Sequence, residues 1–89
     1  MTNIDNLLSE RQKTHGNFAD VGKTYVKFQN IFNASNKYHK ISDSQRLALD
    51  MIAVKLSRLL CGDYNFYGHA EDIAGYATLI VKELEAKHL

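Results

Sequence analysis

Apolar residues recur at alternating spacings of three and four along almost the whole chain, and nowhere does a period of two run long enough for a strand. That pattern predicts an all-α fold of four helices, over 4–14, 17–33, 42–61 and 68–87. In the first, Ile4, Leu7 and Leu8 share a side, Thr2 or Asn3 can cap it, and Gly16 can supply a left-handed stop. Asn17 can cap the second, whose stripe is Phe18, Val21, Tyr25, Phe28 and Phe32. Gly22 inside it costs about 1 kcal/mol relative to Ala, which predicts the close approach of another helix or of a ligand. The polar stretch 33–40 reads as the main loop.

Ser42 and Gln45 have capping-box spacing at the start of the third helix, and Asp43 suits its dipole. Leu49, Ile52, Leu56, Leu59 and Leu60 form its main stripe, while Leu47, Met51 and Val54 fall on nearly the opposite side. A helix apolar on two sides is central in its domain or shared with another subunit. In so short a chain this predicts a partner contact and a homo-oligomeric helical bundle. After the aromatic link 62–68, with Gly62 as a helix stop, the last helix carries Ala70, Ile73, Ala77, Ile80 and Leu84. Small residues at Ala70, Ala74, Gly75 and Ala77 suit close helix packing.

Eighty-nine residues make one domain. A compact chain of this mass exposes about 5,300 Å² when folded, so the core is lean and helix pairing between chains would help it. A net charge of +1 argues against a general polyanion binder, and the third helix keeps few exposed side chains for reading bases; nucleic acid is not an expected partner. The single cysteine, Cys61, is expected buried and reduced. With no leader pattern and no apolar run of membrane-spanning length, the expected location is the cytoplasm, away from membranes.

Three groups of residues are candidates for chemistry. Arg11, Lys13 and His15 gather where one helix stops and the next begins, and free N–H groups at a helix start beside cations suit a phosphate. A plain solvated helix end is the competing reading. Lys55 and Arg58 lie about 60° apart on the third helix and flank its apolar stripe, so their charges need either a ligand or a carboxylate such as Asp50 or Asp72. His69, Asp72 and Tyr76 share a side of the last helix. A His and an Asp alone do not make a metal site, and none is assigned. Signatures of a serine nucleophile and of a Gly-rich phosphate loop are missing from the sequence.

At Arg11, Lys13, His15, Gly16, Asn17 and Phe18, at 48–58 (ALDMIAVKLSR), at Gly62 and Asp63, and at 72–77 (DIAGYA), the chain resembles a family of small bacteriophage and prophage proteins classed as a domain of unknown function. The resemblance runs over roughly residues 9–84. Gly68, His69 and Ala70 stand where many members carry Asp-His-Trp, and Val54 where many carry a His. More distantly, the helical pattern is similar to nucleotide-modification-associated phage domains and to the all-α nucleoside triphosphate pyrophosphohydrolases of the MazG type. This similarity implies an oligomeric bundle binding a nucleotide between helices, in the cytoplasm of a host cell.

The expectation is a phage-encoded nucleotide-binding protein, in which Arg11, Lys13, Lys55 and Arg58 contact phosphates and His15, His69 and Tyr76 line the pocket. If it is a minimal hydrolase, Asp72 and Asp50 hold a magnesium ion. The alternative is a non-enzymatic inhibitor that binds a host defence protein or sequesters a nucleotide signal.

Overall fold

A computed structural model describes residues 3–88. It is all-helical, with α1 at Asn3–His15, α2 at Phe18–Ala34, α3 at Asp43–Cys61 and α4 at Tyr67–Lys87; a single 3-10 turn, Tyr38–Lys40, interrupts the loop between α2 and α3. The helix limits fall within one residue of those marked by the periodicity, because local chemistry sets them. Asn17 Oδ1 accepts from the Ala19 and Asp20 backbone N–H groups at 3.0 and 3.3 Å. Ser42 and Gln45 close the reciprocal capping box, each side chain accepting from the other's backbone N–H. Gly16 takes φ +83° and its N–H returns to the Gln12 carbonyl at 2.9 Å, which stops α1. Asn3 is already helical, and Thr2, the other candidate cap, lies outside the described residues.

The central element is α3, with α2 and α4 on its two flanks. Side-chain bonds mark each flank. Toward α2, Asp50 accepts from the Tyr38 hydroxyl at 3.3 Å, the Arg46 guanidinium lies over the Tyr38 ring at 5.0 Å, and Tyr38 stacks on Phe32. Toward α4, Lys55 pairs with Asp72 at 3.1 Å and Ser42 and Ser44 donate to Glu83. Asp50 and Lys55 are about 140° apart at 100° per residue, as two opposed partners require. Tyr38 is thereby buried within what the polar sequence 33–40 suggested was only a loop.

Burial is thin. Val21, Tyr38, Ala48 and Ala53 are the buried apolar residues, while all of Leu49, Ile52, Leu56, Leu59 and Leu60, the strongest stripe in the sequence, keep contact with solvent. The accessible surface is 6559 Å², against about 5,300 Å² for a compact chain of this mass. The envelope measures 53 × 27 × 23 Å.

Two expectations fail in detail. The inward side of α4 is His69, Ile73, Tyr76, Ile80 and Glu83, so the helix is rotated relative to the expected stripe and Ala70, Ala74 and Ala77 face out. Gly22 meets nothing beyond its own helical turn: among the described residues no such atom lies within 4 Å of where its Cβ would stand, and Gly75 is equally open.

Candidate functional site

Where α1 ends, the chain ties itself to the far end of α3 and to the start of α4. The Thr14 carbonyl accepts from the Asp63 backbone N–H at 3.0 Å and from His69 Nε2 at 2.7 Å. A carbonyl only accepts, so the Nε2 nitrogen of His69 carries the proton. His69 is 1% exposed and packs edge-on against His15 and Phe66, with ring centroids 5.0 and 4.8 Å away. Both glycines of this junction are crowded. A Cβ on Gly62 would collide with the Thr14 carbonyl and stand 2.6 Å from Gly16 N, and one on Gly16 would stand 2.8 Å from the Cys61 carbonyl carbon. The motif residues Gly16, Gly62, Asp63 and His69 are thus a joint between three helices. His69, expected to line a ligand pocket, is consumed by this joint.

Beside the joint opens a groove of about 720 Å³, lined by α1, the first turn of α2 and one side chain of α3. Leu7, Leu8 and Phe18 give it apolar walls, and Arg11, His15 and Arg58 place cationic or titratable groups on it. This size and mixture, mostly apolar with a few convergent polar groups, is that of a small-molecule site. Among the described residues no ion pair ties either guanidinium to a carboxylate. Phe18, the apolar wall nearest the α2 cap, is 85% exposed.

The geometry of α2 explains that exposure. Thr24 Oγ1 meets Cys61 Sγ at 3.3 Å, level with the end of α3, so Phe18 overhangs it by more than a turn. The apolar stripe therefore reads as core up to Val21 and as groove wall at Phe18. Leu7, Leu8 and Phe18 went unassigned to a site in the sequence; Phe18's place directly after the Asn17 cap, at the very end of its stripe, is the signal that marks it.

His15 sits between the two arginines. Burial holds its imidazole below the ordinary histidine range, and the electrostatic influence of the neighbouring His69, Arg11 and Arg58 acts in the same direction. Thr14 Oγ1 donates to the Arg11 carbonyl at 3.2 Å and lies 2.6 Å from His15 Nδ1; with its one proton so used, it accepts from Nδ1–H and leaves Nε2 as an acceptor. An anion entering the groove would meet two guanidinium groups and a ring able to gain a proton.

Other candidate residues lie elsewhere. Lys13 points away and pairs with Glu10 at 3.1 Å on the open surface. Lys55 is held by Asp72, with Tyr76 beside them in a shallower depression shared with Glu71 and Leu79. Asp50 belongs to the tyrosine cluster on the other flank, where partial burial, and then the nearby Asp50 carboxylate, raise the hydroxyl pKa of the half-buried Tyr25. Asp50 and Asp72 therefore do not share a site, and among the described residues no three His, Cys, Asp or Glu side chains gather to hold a metal ion. The N-terminus of α2 is not open to a phosphate as expected, since Asn17 already occupies two of its N–H groups and Asp20 adds a negative charge to its first turn.

Cys61 is half-buried and unpaired in any disulfide. Among the described residues no helix is long and apolar enough to cross a membrane. No protein-family model, no curated protein and no solved structure matches the chain.

Proposed function

We propose that this chain binds a small organic anion with a flat ring, of which a nucleotide is the leading example, in the groove between α1 and the start of α2. The observation that carries the reading is the convergence of Arg11, His15 and Arg58 from two helices on one open groove, without carboxylate counter-charges among the described residues. Phosphate oxygens suit the two guanidinium groups, whose planar donors bind oxyanions in pairs. The exposed face of Phe18 suits a base, because ring stacking is worth about 1–3 kcal/mol. The setting implied by the sequence resemblance, a small phage protein acting on nucleotides, agrees with this reading. Binding without hydrolysis is favoured, because Asp50 and Asp72 lie on different flanks of α3.

A screen of nucleotides, cyclic ones included, by thermal shift and by turnover in magnesium tests it. Stabilisation without turnover is the expected result. An unchanged melting temperature with every nucleotide and with pyrophosphate contradicts the proposal, and turnover lost on Asp72→Asn would restore the hydrolytic reading.

A second reading has its own support in Leu7, Leu8 and Phe18, all exposed along the same groove. On that reading the groove takes an apolar segment of a host protein and the chain acts as an inhibitor. Replacing Leu8 by Asp would then abolish binding while Arg58→Ala would barely change it, the reverse of the pattern for an anion.

A further inference from the structure

We infer that a second copy of this chain packs on the side of the α3–α4 hairpin that faces away from the groove. At 100° per residue, Leu49 and Leu56 stand about 180–200° around α3 from Leu47. On α4, Ala77 stands about 200° from Leu79. Leu47 and Leu79 line one cleft together, so Ala77 and the two leucines emerge on the opposite side of the hairpin. Neither leucine is buried, and Ala77 is exposed along with Val81 and Leu84. Together they form one continuous apolar face across two helices, merging inward with the half-buried Ile73 and Ile80.

Three features identify the occupant as another copy. First, the surface is in excess by roughly 1,250 Å² over a compact chain of this mass, and a stable interface buries about 800 Å² per partner. Second, the face complements itself. An antiparallel pairing of α4 with its own copy about Ala77 sets Ala70 against the other copy's Leu84 and brings Ala74 within one residue of its Val81, small against large on either side of a central pair of alanines. A two-fold interface needs this kind of self-match, and a parallel pairing would instead stack alanines at one end and leucines at the other. Third, the spacing of Ala70, Ala74, Ala77, Val81 and Leu84 alternates four and three, the repeat of helices that pack side by side for several turns. Two hairpins joined in this way make a four-helix bundle whose core is the leucine stripe that one chain leaves uncovered. Arg58 lies about 20° around α3 from Leu47, so the groove opens on the outer side and the pairing neither uses nor blocks it.

The test is light scattering of the full chain coupled to cysteine cross-linking. In a Cys61→Ser background, Ala77→Cys sits on the two-fold axis and should oxidise rapidly to a single cross-linked dimer, while Leu47→Cys should remain monomeric on the same time scale. The unmodified chain should have twice the chain mass, and Ala77→Asp should weaken the association by about tenfold or more with helical content retained. If that variant unfolds, cross-linking decides alone. A single-chain mass at every concentration overturns the proposal, and so does cross-linking through position 47 in preference to 77.

Discussion

The last turn of α1 and its first two turns belong to one helix but meet opposite surroundings. Around Thr14 and Gly16 every group is engaged: the carbonyl has two donors, the glycines admit no side chain, and His69 is sealed beneath. One to two turns earlier, Leu7 and Leu8 are exposed and Arg11 faces the groove without a carboxylate partner among the described residues. A short isolated helix is marginal in water, so the joint is what keeps α1 in place. The contrast separates two duties that the sequence runs together. Within the motif from Arg11 to Phe18, Gly16 builds the joint, Arg11 and Phe18 face the groove, and His15 touches both.

Substitutions can break that contrast from the joint's side. Gly62→Ala forces a methyl group against backbone of α1 and α3 that cannot move aside, and should cost about 3 kcal/mol or more. Urea denaturation followed by circular dichroism would show it; a loss under 1 kcal/mol would mean that the joint is loose. His69→Ala removes a buried ring and one of two donors to the Thr14 carbonyl, and about 2–3 kcal/mol should go with them. If His69 served a ligand instead, stability would hold and only binding would fall.

Acid sharpens the same division. His15 has a lowered pKa when folded, chiefly through burial, so below the ordinary value of 6.5 the unfolded chain takes up a proton that the folded chain refuses. This contribution destabilises the fold as pH drops from about 6.5 through the lowered value, and vanishes above 6.5. A bound anion reverses the preference by favouring the imidazolium, so affinity should rise as pH falls through the same window. His15→Gln should flatten the pH dependence of binding, which calorimetry at two pH values would measure. An affinity that stays constant or falls on acidification would place the anion away from His15.

The smallest effect is expected at Lys55. Its partner Asp72 has a side chain 48% exposed, so the pair is well screened and Lys55→Met should change stability by less than about 1 kcal/mol. Anion affinity should be untouched. A large loss of affinity would move the site to the α3–α4 face.

Short-range chemistry was legible in the sequence. Asn17, the Ser42–Gln45 box and the left-handed Gly16 act within a few residues, so spacing alone identifies them. The inward face of α4 was not legible. Periodicity cannot weigh Ala70 and Ala77 against His69 and Tyr76, and here the larger rings turn inward, with the polar edge of His69 satisfied by a carbonyl 55 positions away in sequence. The cations of α3 show the same limit. Lys55 and Arg58 read as one group from their spacing, yet Asp72 claims the first and the overhang of α2 beyond α3 leaves the second at the groove. Gly22 reads as a point of close approach, but among the described residues no other element comes near it.

Whether an anion occupies the groove is decided by following backbone amide signals in NMR while adenosine nucleotides or pyrophosphate are added, with the original chain and with Arg58→Ala. Binding in the groove should give saturable shifts clustered at Arg11, His15, Gly16 and Phe18, with affinity reduced about tenfold or more in the variant, as expected for loss of a charge-assisted contact. Shifts centred on Lys55 and Tyr76, or titrations that the variant leaves unchanged, would contradict it.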